Sequence, residues 1–243
     1  LSFTITQPQL LIATASKTDV ACFGDLTGSI SAAASGGTPP YEYNLNGGSY
    51  QATGIFSGLP AGLHTLTVRD GNSCSFVLKI DITQPDALTG SAAVSEEIKG
   101  HGGTATVTRT GGGGNPPLSY TFNGTSNATG IFTGITAKAG YVWSITDANG
   151  CGPVTGSLDV TEPAVLTGSA AVTTAISCNG GSATITLTAS GGTAPLSFTF
   201  NGITNTTGIF SGIPAGTGYA WSITDANNCG PVSGSLNVTQ PAI

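Results

Sequence analysis

The 243 residues repeat themselves. Gly140 to Pro163 reads Gly-Tyr-Val-Trp-Ser-Ile-Thr-Asp-Ala-Asn-Gly-Cys-Gly-Pro-Val-Thr-Gly-Ser-Leu-Asp-Val-Thr-Glu-Pro, and Gly218 to Pro241 repeats it with few changes. A looser copy occupies Leu63 to Pro85, and its closing residues occur once more in Ser2 to Pro8. The closing prolines Pro8, Pro85, Pro163 and Pro241 stand 77, 78 and 78 residues apart, so whatever one period folds into, the chain must build three times. The period sets the expected domain boundaries at 9–85, 86–163 and 164–241. Residues 1–8 read as the closing strand of a preceding repeat and 242–243 as the start of a following one, in a window on a longer array.

A unit of about 78 residues buries limited surface and usually needs a staple. Each repeat reads as the same succession of short strands. In the third, Val165 to Thr173 is the first strand, and Ser182 to Ala189 alternates cleanly. A Gly191-Gly192 turn and Pro195 lead into the strand Leu196 to Phe200, and Asn201-Gly202 is a hairpin signal. A loop containing Thr207 to Gly212 precedes the strands Tyr219 to Thr224 and Val232 to Thr239. No window carries helical apolar spacing, and no run is long enough to span a bilayer, so membrane insertion is not expected. The predicted fold class is all-β: a tandem array of three small immunoglobulin-like (Greek-key) β-sandwich modules. Proline at each junction fixes φ and leaves almost no linker, which predicts a stiff rod on the order of 100 Å long.

Charge is sparse. Six basic and twelve acidic residues give a net charge of −6, and residues 164–241 carry Asp225 alone. Without a basic stripe to neutralise phosphates, nucleic acid is excluded as a partner. A surface of Thr, Ser, Asn and Gly lacks the usual charge protection against association. It fits a neutral extracellular rod, packing against neighbours, or a glycan coat; Asn123, Asn127, Asn205 and Asn237 open Asn-x-Ser/Thr sequons. Methionine is absent and no charged-then-apolar leader occurs, as expected of a processed or truncated secreted protein.

The five cysteines fall on two repeat positions. Cys74, Cys151 and Cys229 each follow an Asp-x-Asn turn; Cys22 and Cys178 each precede the second strand, where the middle repeat has Gly100. This placement predicts intramodule disulfides Cys22 to Cys74 and Cys178 to Cys229, with Cys151 an unpaired thiol, either an inert relic or an intermolecular bond on a fibre surface. Disulfides imply an oxidising compartment. Two histidines, His64 and His101, and no close cysteine pair argue against a metal site.

Candidate chemistry is thin. Asp147-Ala-Asn-Gly and its copies at Asp70 and Asp225 offer too few oxygen ligands for calcium and suit a tight turn. Tyr141, Trp143 and Ile145 share a strand face, as do Tyr219, Trp221 and Ile223, either to stack on sugar or to fill a core; His64, Leu66 and Val68 at the same places in the first repeat favour the core. The Thr104/106/108 and Thr184/186/188 alternations read as outward β-branched positions. Gly111 to Gly114 precede prolines and no helix, so they do not form a phosphate loop. With no serine elbow and no repeated carboxylate pair, neither a catalytic constellation nor a cofactor is expected, and the chain is read as a non-enzyme.

An ordered set of motifs remains: Cys178-Asn-Gly-Gly-Ser182, Ser190-Gly-Gly192 with Pro195, Ala215-Gly216 with Tyr219, Asp225-Ala-Asn-Asn-Cys229 and Val238-Thr-Gln-Pro241. The first repeat matches through Cys22, Ser35-Gly-Gly37, Pro40-Tyr41, Ala61-Gly62, Asp70, Cys74 and Ile82-Thr-Gln-Pro85. In these residues the chain resembles the SprB-type repeat of cell-surface adhesins of gliding Bacteroidota. The resemblance implies a secreted, extracellular protein exported by the type IX route and serving surface attachment or gliding. Its expected partners are neighbouring repeats or copies of the same protein, with surface polysaccharide a further candidate. A carbohydrate-binding array or the spacer of a secreted enzyme is the alternative.

Overall fold

The computed structural model describes Phe3 and residues 6–242. Leu1, Ser2, Thr4, Ile5 and Ile243, on which half of the strand expected at 1–8 and half of the start expected at 242–243 rest, lie outside the described residues.

Among the described residues all regular structure is strand. The first repeat holds β1 (Ile12–Thr18), β2 (Gly28–Ser35), β3 (Glu42–Leu45), β4 (Ile55–Leu59), β5 (Gly62–Arg69) and β6 (Ser75–Ile82). The middle repeat holds β7 (Thr89–Glu96), β8 (Ala105–Gly112), β9 (Ser119–Phe122), β10 (Thr125–Asn127), β11 (Ile131–Ile135), β12 (Lys138–Thr146) and β13 (Val154–Val160). The third holds β14 (Thr167–Thr174), β15 (Ala183–Ser190), β16 (Ser197–Phe200), β17 (Ile203–Asn205), β18 (Ile209–Ile213), β19 (Gly216–Thr224) and β20 (Val232–Val238).

Each repeat contributes two antiparallel sheets. Their orders are β1-β2-β4 with β3-β5-β6, β11-β8-β7 with β10-β9-β12-β13, and β14-β15-β18 with β17-β16-β19-β20. In the first repeat β3 leaves the sheet of β2 for that of β5, and β4 returns to pair with β2, which is the Greek-key crossing of an immunoglobulin-like sandwich. By internal packing the chain falls into two compact units. One comprises Leu1–Ser91, Arg109–Gly130 and Trp143–Gly156; the other comprises Ala92–Thr108, Ile131–Val142 and Ser157–Ile243.

Period-two alternation explains the strands. In β15, Ala183, Ile185 and Leu187 point into the core while Thr184 and Thr186 face outward. Ile185 packs with Phe198, Phe200, Phe210, Ile223 and Val238; in the first repeat Leu66 and Val68 pack with Ala13 and Tyr43. The outward threonines cross-link strands: the hydroxyl of Thr186 meets that of Thr173 at 2.9 Å, and Thr188 meets Ser169 at 2.9 Å. Asn201-Gly202 turns the β16–β17 hairpin with φ of 45° and 80°, and Asn123-Gly124 does the same with 46° and 84°, the left-handed pair of a type I′ turn.

One reading needs correction. Thr207 to Gly212 is not all loop, because Ile209–Ile213 forms β18 and pairs with β15. The strand is short, its Ile209 faces solvent, and the register shifts opposite Ala183 and Thr184, so its alternation is weak in sequence.

Candidate functional site

The chemistry of this chain concentrates where one repeat meets the next. The β1–β2 loop is anchored by a buried apolar residue at the same position each time: Val20, Ile98 and Ile176, exposed by 4, 4 and 5%. It is also tied to the end of its own repeat. The Gly24 amide donates to Oε1 of Gln84 at 2.8 Å, Gly102 to Glu162 at 2.6 Å and Gly180 to Gln240 at 3.0 Å. The glutamine or glutamate before Pro85, Pro163 and Pro241 is therefore a loop cap, which the recurrence of Thr-Gln-Pro and Thr-Glu-Pro signals without identifying.

From the other side come two loops of the following repeat. Between β12 and β13, Asp147 starts a tight turn whose Asn149 donates from Nδ2 to the Ala21 carbonyl at 3.2 Å; Asn115, after β8, donates to the same oxygen at 2.9 Å. Beside that carbonyl Cys22 and Cys151 form a disulfide, with Cα atoms 5.6 Å apart. Constraining a chain with such a link contributes about 2–4 kcal/mol.

The second junction repeats this geometry without the bond. Asn227 donates to the Lys99 carbonyl at 2.7 Å, and the Thr193 hydroxyl lies 3.5 Å from the same oxygen. Cys229 stands in the place of Cys151, but the place of Cys22 is Gly100, and Cys229 is a half-buried thiol. Cys74 and Cys178 are exposed thiols.

The Asp turn is built from within. Oδ1 of Asp147 accepts the amides of Asn149 (3.0 Å) and Cys151 (2.7 Å), and Oδ2 accepts that of Asn115 (2.8 Å). Asp225 receives Asn227, Cys229 and Thr193 in the same way, and Asp70 receives Asn72, Cys74 and Thr38. Burial works against ionisation of Asp147 and Asp225, but the converging amides outweigh it and hold both carboxyls below the ordinary value. At Asp70 the Thr38 amide is the largest influence, in the same direction. The carboxylates are thus turn-formers that aim the following cysteine at the junction.

The expected pairings Cys22 to Cys74 and Cys178 to Cys229 are corrected: Cys22 bonds Cys151, which is therefore not the unpaired thiol, and Cys74, Cys178 and Cys229 are free. The reason is the length of one strand. Cys22 precedes β2, whereas the Cys74 loop is hydrogen-bonded through Asp70 to Thr38, beyond the far end of β2. The eight residues of β2 cover roughly 26 Å, while a disulfide needs Cα atoms within about 7 Å. Cys178 and Cys229 are separated in the same way by β15. The two cysteine positions of one repeat lie at opposite ends of its sandwich, and at the two internal junctions they face the neighbouring repeat.

The strand aromatics face inward. Trp221 packs on the core of its repeat and lies over Gly234, where an added Cβ would come within 2.8 Å of the indole; Trp143 covers Gly156 at 2.5 Å. Tyr219 donates to the Pro214 carbonyl at 3.2 Å and Tyr141 to that of Thr136 at 3.1 Å, the tyrosine corner of immunoglobulin-like folds. His64, 5% exposed, takes that role in the first repeat. Its Nδ1 accepts from Asn46 (3.0 Å), which leaves Nε2–H to donate to the Pro60 carbonyl (2.9 Å). His101 Nδ1 lies 3.3 Å from Glu162. Of the sequon asparagines, Asn205 spends Nδ2 on the Ile209 carbonyl at 2.9 Å, while Asn237 caps the Gly218 amide through Oδ1 at 2.7 Å.

No curated protein matches the chain in sequence. In structure it is similar to the three N-terminal domains of the bacteriophage RB49 highly immunogenic outer capsid protein Hoc, with TM-score 0.46 and 9% identity over 96% of this chain and 100% of that one. It is also similar to the I9–I11 tandem of titin, with TM-score 0.37 and 10% identity over 96% and 100% of the two chains. Invasin, a bacterial integrin-binding protein, gives TM-score 0.31 and 14% identity over 95% and 60%. The SprB repeat family model matches residues 14–49 and 170–205, each time from the first strand of a repeat through its Asn-Gly hairpin and including Cys22 or Cys178.

Proposed function

We propose that this chain is part of a large secreted bacterial adhesin or extracellular filament, in which the repeats supply length and display rather than catalysis. The observation that carries this reading is the recurring junction. The same asparagine-to-carbonyl contact closes both junctions, and a disulfide closes one of them. A covalent clasp between successive repeats resists bending and pulling where a tandem array would otherwise hinge, which suits a stalk under load and an oxidising exterior. The SprB match supports a cell-surface setting, and attachment or gliding after type IX export is the role that fits it. Neighbouring repeats and further copies of the protein are the partners in this reading. Surface polysaccharide would be contacted elsewhere than at Trp143 and Trp221, whose rings cover glycines of the adjoining strands. Immunogold labelling of intact producing cells with antibodies against this chain tests the proposal: label along surface fibres or stalks is expected, and label confined to the cytoplasm overturns it.

A further inference from the structure

Cys178 and Cys74 are the exposed thiols, and each is one half of a junction that the chain completes elsewhere. Cys178 is the counterpart of Cys22. Its loop is anchored by buried Ile176 and capped by Gln240 through Gly180, as the Cys22 loop is anchored by Val20 and capped by Gln84. Ser177 presents the carbonyl equivalent to those of Ala21 and Lys99. Cys74 is the counterpart of Cys151. Its Asp70 turn is built by the same three amides, and its Asn72 is the equivalent of Asn149 and Asn227. The Nδ2 of Asn72, which at both internal junctions grips the carbonyl of another repeat, here rests on the Thr38 hydroxyl at 2.9 Å.

We infer that the Ser177-Cys178 loop and the Asp70-to-Cys74 turn are complementary halves of a binding site for another repeat of this kind, joined head to tail and closed by a disulfide between a Cys178-type and a Cys74-type thiol. The occupant is specified by the two internal junctions, where this loop meets this turn both times. This goes beyond the adhesive role and stands or falls separately from it, because it concerns how repeats join and not what the protein holds.

Closure is an oxidation by a small disulfide such as oxidised glutathione. The Cys178 thiolate attacks one glutathione sulfur, breaking the S–S bond and releasing one glutathione thiolate. The Cys74 thiolate of the second repeat then attacks the Cys178 sulfur of the mixed disulfide and expels the second. Two protein thiols lose two electrons and two protons, and one glutathione disulfide becomes two glutathione thiols. Cys229 is the internal control: it is also a thiol, but its junction is occupied by Gly100.

A second copy of the full chain serves as the probe. A Cys74→Ser variant and a Cys178→Ser variant, neither of which removes a bond of the chain, are mixed in a glutathione redox buffer and the linked peptides are mapped. The expected result is a dimer of the two variants joined from Cys178 of the first to Cys74 of the second, as the dominant link. Adding Asn72→Ala to the Cys178→Ser partner should lower its yield about three- to tenfold, the loss of one hydrogen bond, with alkylation of Cys74 unchanged. Symmetric Cys178–Cys178 or Cys74–Cys74 links equalling or exceeding the mixed link, bonding to Cys229 in its place, or no mixed link at all would each overturn the inference.

Discussion

The sulfur of Cys229 lies 2.1 Å from the point where a Cβ on Gly100 would stand, and the Cβ of Cys229 lies 3.2 Å from it. A disulfide sets its two Cβ atoms about 3.5–4.5 Å apart. The second junction is therefore within a few tenths of an ångström of the geometry that the first one bonds. The φ of Gly100 is outside the left-handed region, so its backbone accepts a side chain. A Gly100→Cys variant should bond its new sulfur to Cys229 once that thiol rotates aside. Thiol titration under denaturing conditions should then fall from three per chain to two, and the urea midpoint should rise by the equivalent of about 2–4 kcal/mol. Retention of all thiols after oxidation would show that the two junctions differ in geometry.

The three thiols should differ in reactivity. Burial, followed by the neighbouring Asp225 carboxylate, pushes the Cys229 thiol above its ordinary value. Less thiolate is then present at any given pH, and the thiolate is the nucleophile. Cys74 and Cys178 stand in solvent. With iodoacetamide at mildly alkaline pH, Cys74 and Cys178 should be alkylated first and Cys229 last, as read by peptide mass mapping over time. Equal rates at all three would contradict the packed junction around Cys229.

What could be read from sequence was what is local. The alternation of Ala183, Ile185 and Leu187, the Asn-Gly turns and the inward Tyr, Trp and Ile of β12 and β19 each depend on residues within one strand or hairpin, and the structure places them as the pattern implies. The cysteine pairing was not local. Treating each repeat as a closed unit made Cys22 and Cys74 look like partners, because nothing in their spacing says that an eight-residue strand holds them apart. The chain did carry a clue. The middle repeat keeps Cys151 while losing its own first cysteine to Gly100, which is what a bond across repeats permits. In the sequence Asn149 and Asn227 stand out only as turn residues. Their side chains, which grip the neighbouring carbonyl, recur at the repeat period and could have been identified by asking which turn residues the turn itself does not need.

Acid should loosen the Asp turns. Burial works against ionisation of the Asp225 carboxyl, but the amides of Cys229, Thr193 and Asn227 hold it below its ordinary value. A carboxylate whose folded pKa is depressed contributes stability that is fully present above its unfolded pKa and lost as pH falls through the folded one. Residues 164–241 carry no other Asp, Glu, Lys, Arg or His. The urea midpoint of the third repeat, followed by Trp221 fluorescence in a Trp143→Phe background, should therefore be flat from pH 7 to about 5 and fall below about pH 4. An Asp225→Asn variant should start lower and lose most of that slope. A slope that survives in Asp225→Asn would place the acid response outside this turn.

Arg109 is a charge where the fold wants a hydrocarbon. It is 2% exposed, and its amide bonds the Gly130 carbonyl at 2.8 Å just as the amide of buried Leu187 bonds Gly208 in the third repeat. Its guanidinium lies 4.7 Å from the ring centre of Trp143 and 5.8 Å from that of Tyr120, and Nη1 donates to the Thr121 carbonyl. Nε and Nη2 are buried without a hydrogen-bond partner, and burial lowers the pKa of the group. Unsatisfied buried donors cost about 1–3 kcal/mol, and the indole face returns part of that through its attraction for the cation. An Arg109→Leu variant, which copies the third repeat, should therefore be more stable than the parent by about 1–2 kcal/mol, read as a higher urea midpoint with an unchanged slope. An Arg109→Met variant should shift the same way, since it keeps the length of the side chain without the donors. Loss of stability in both would mean that the cation over Trp143 outweighs its two unpaired nitrogens.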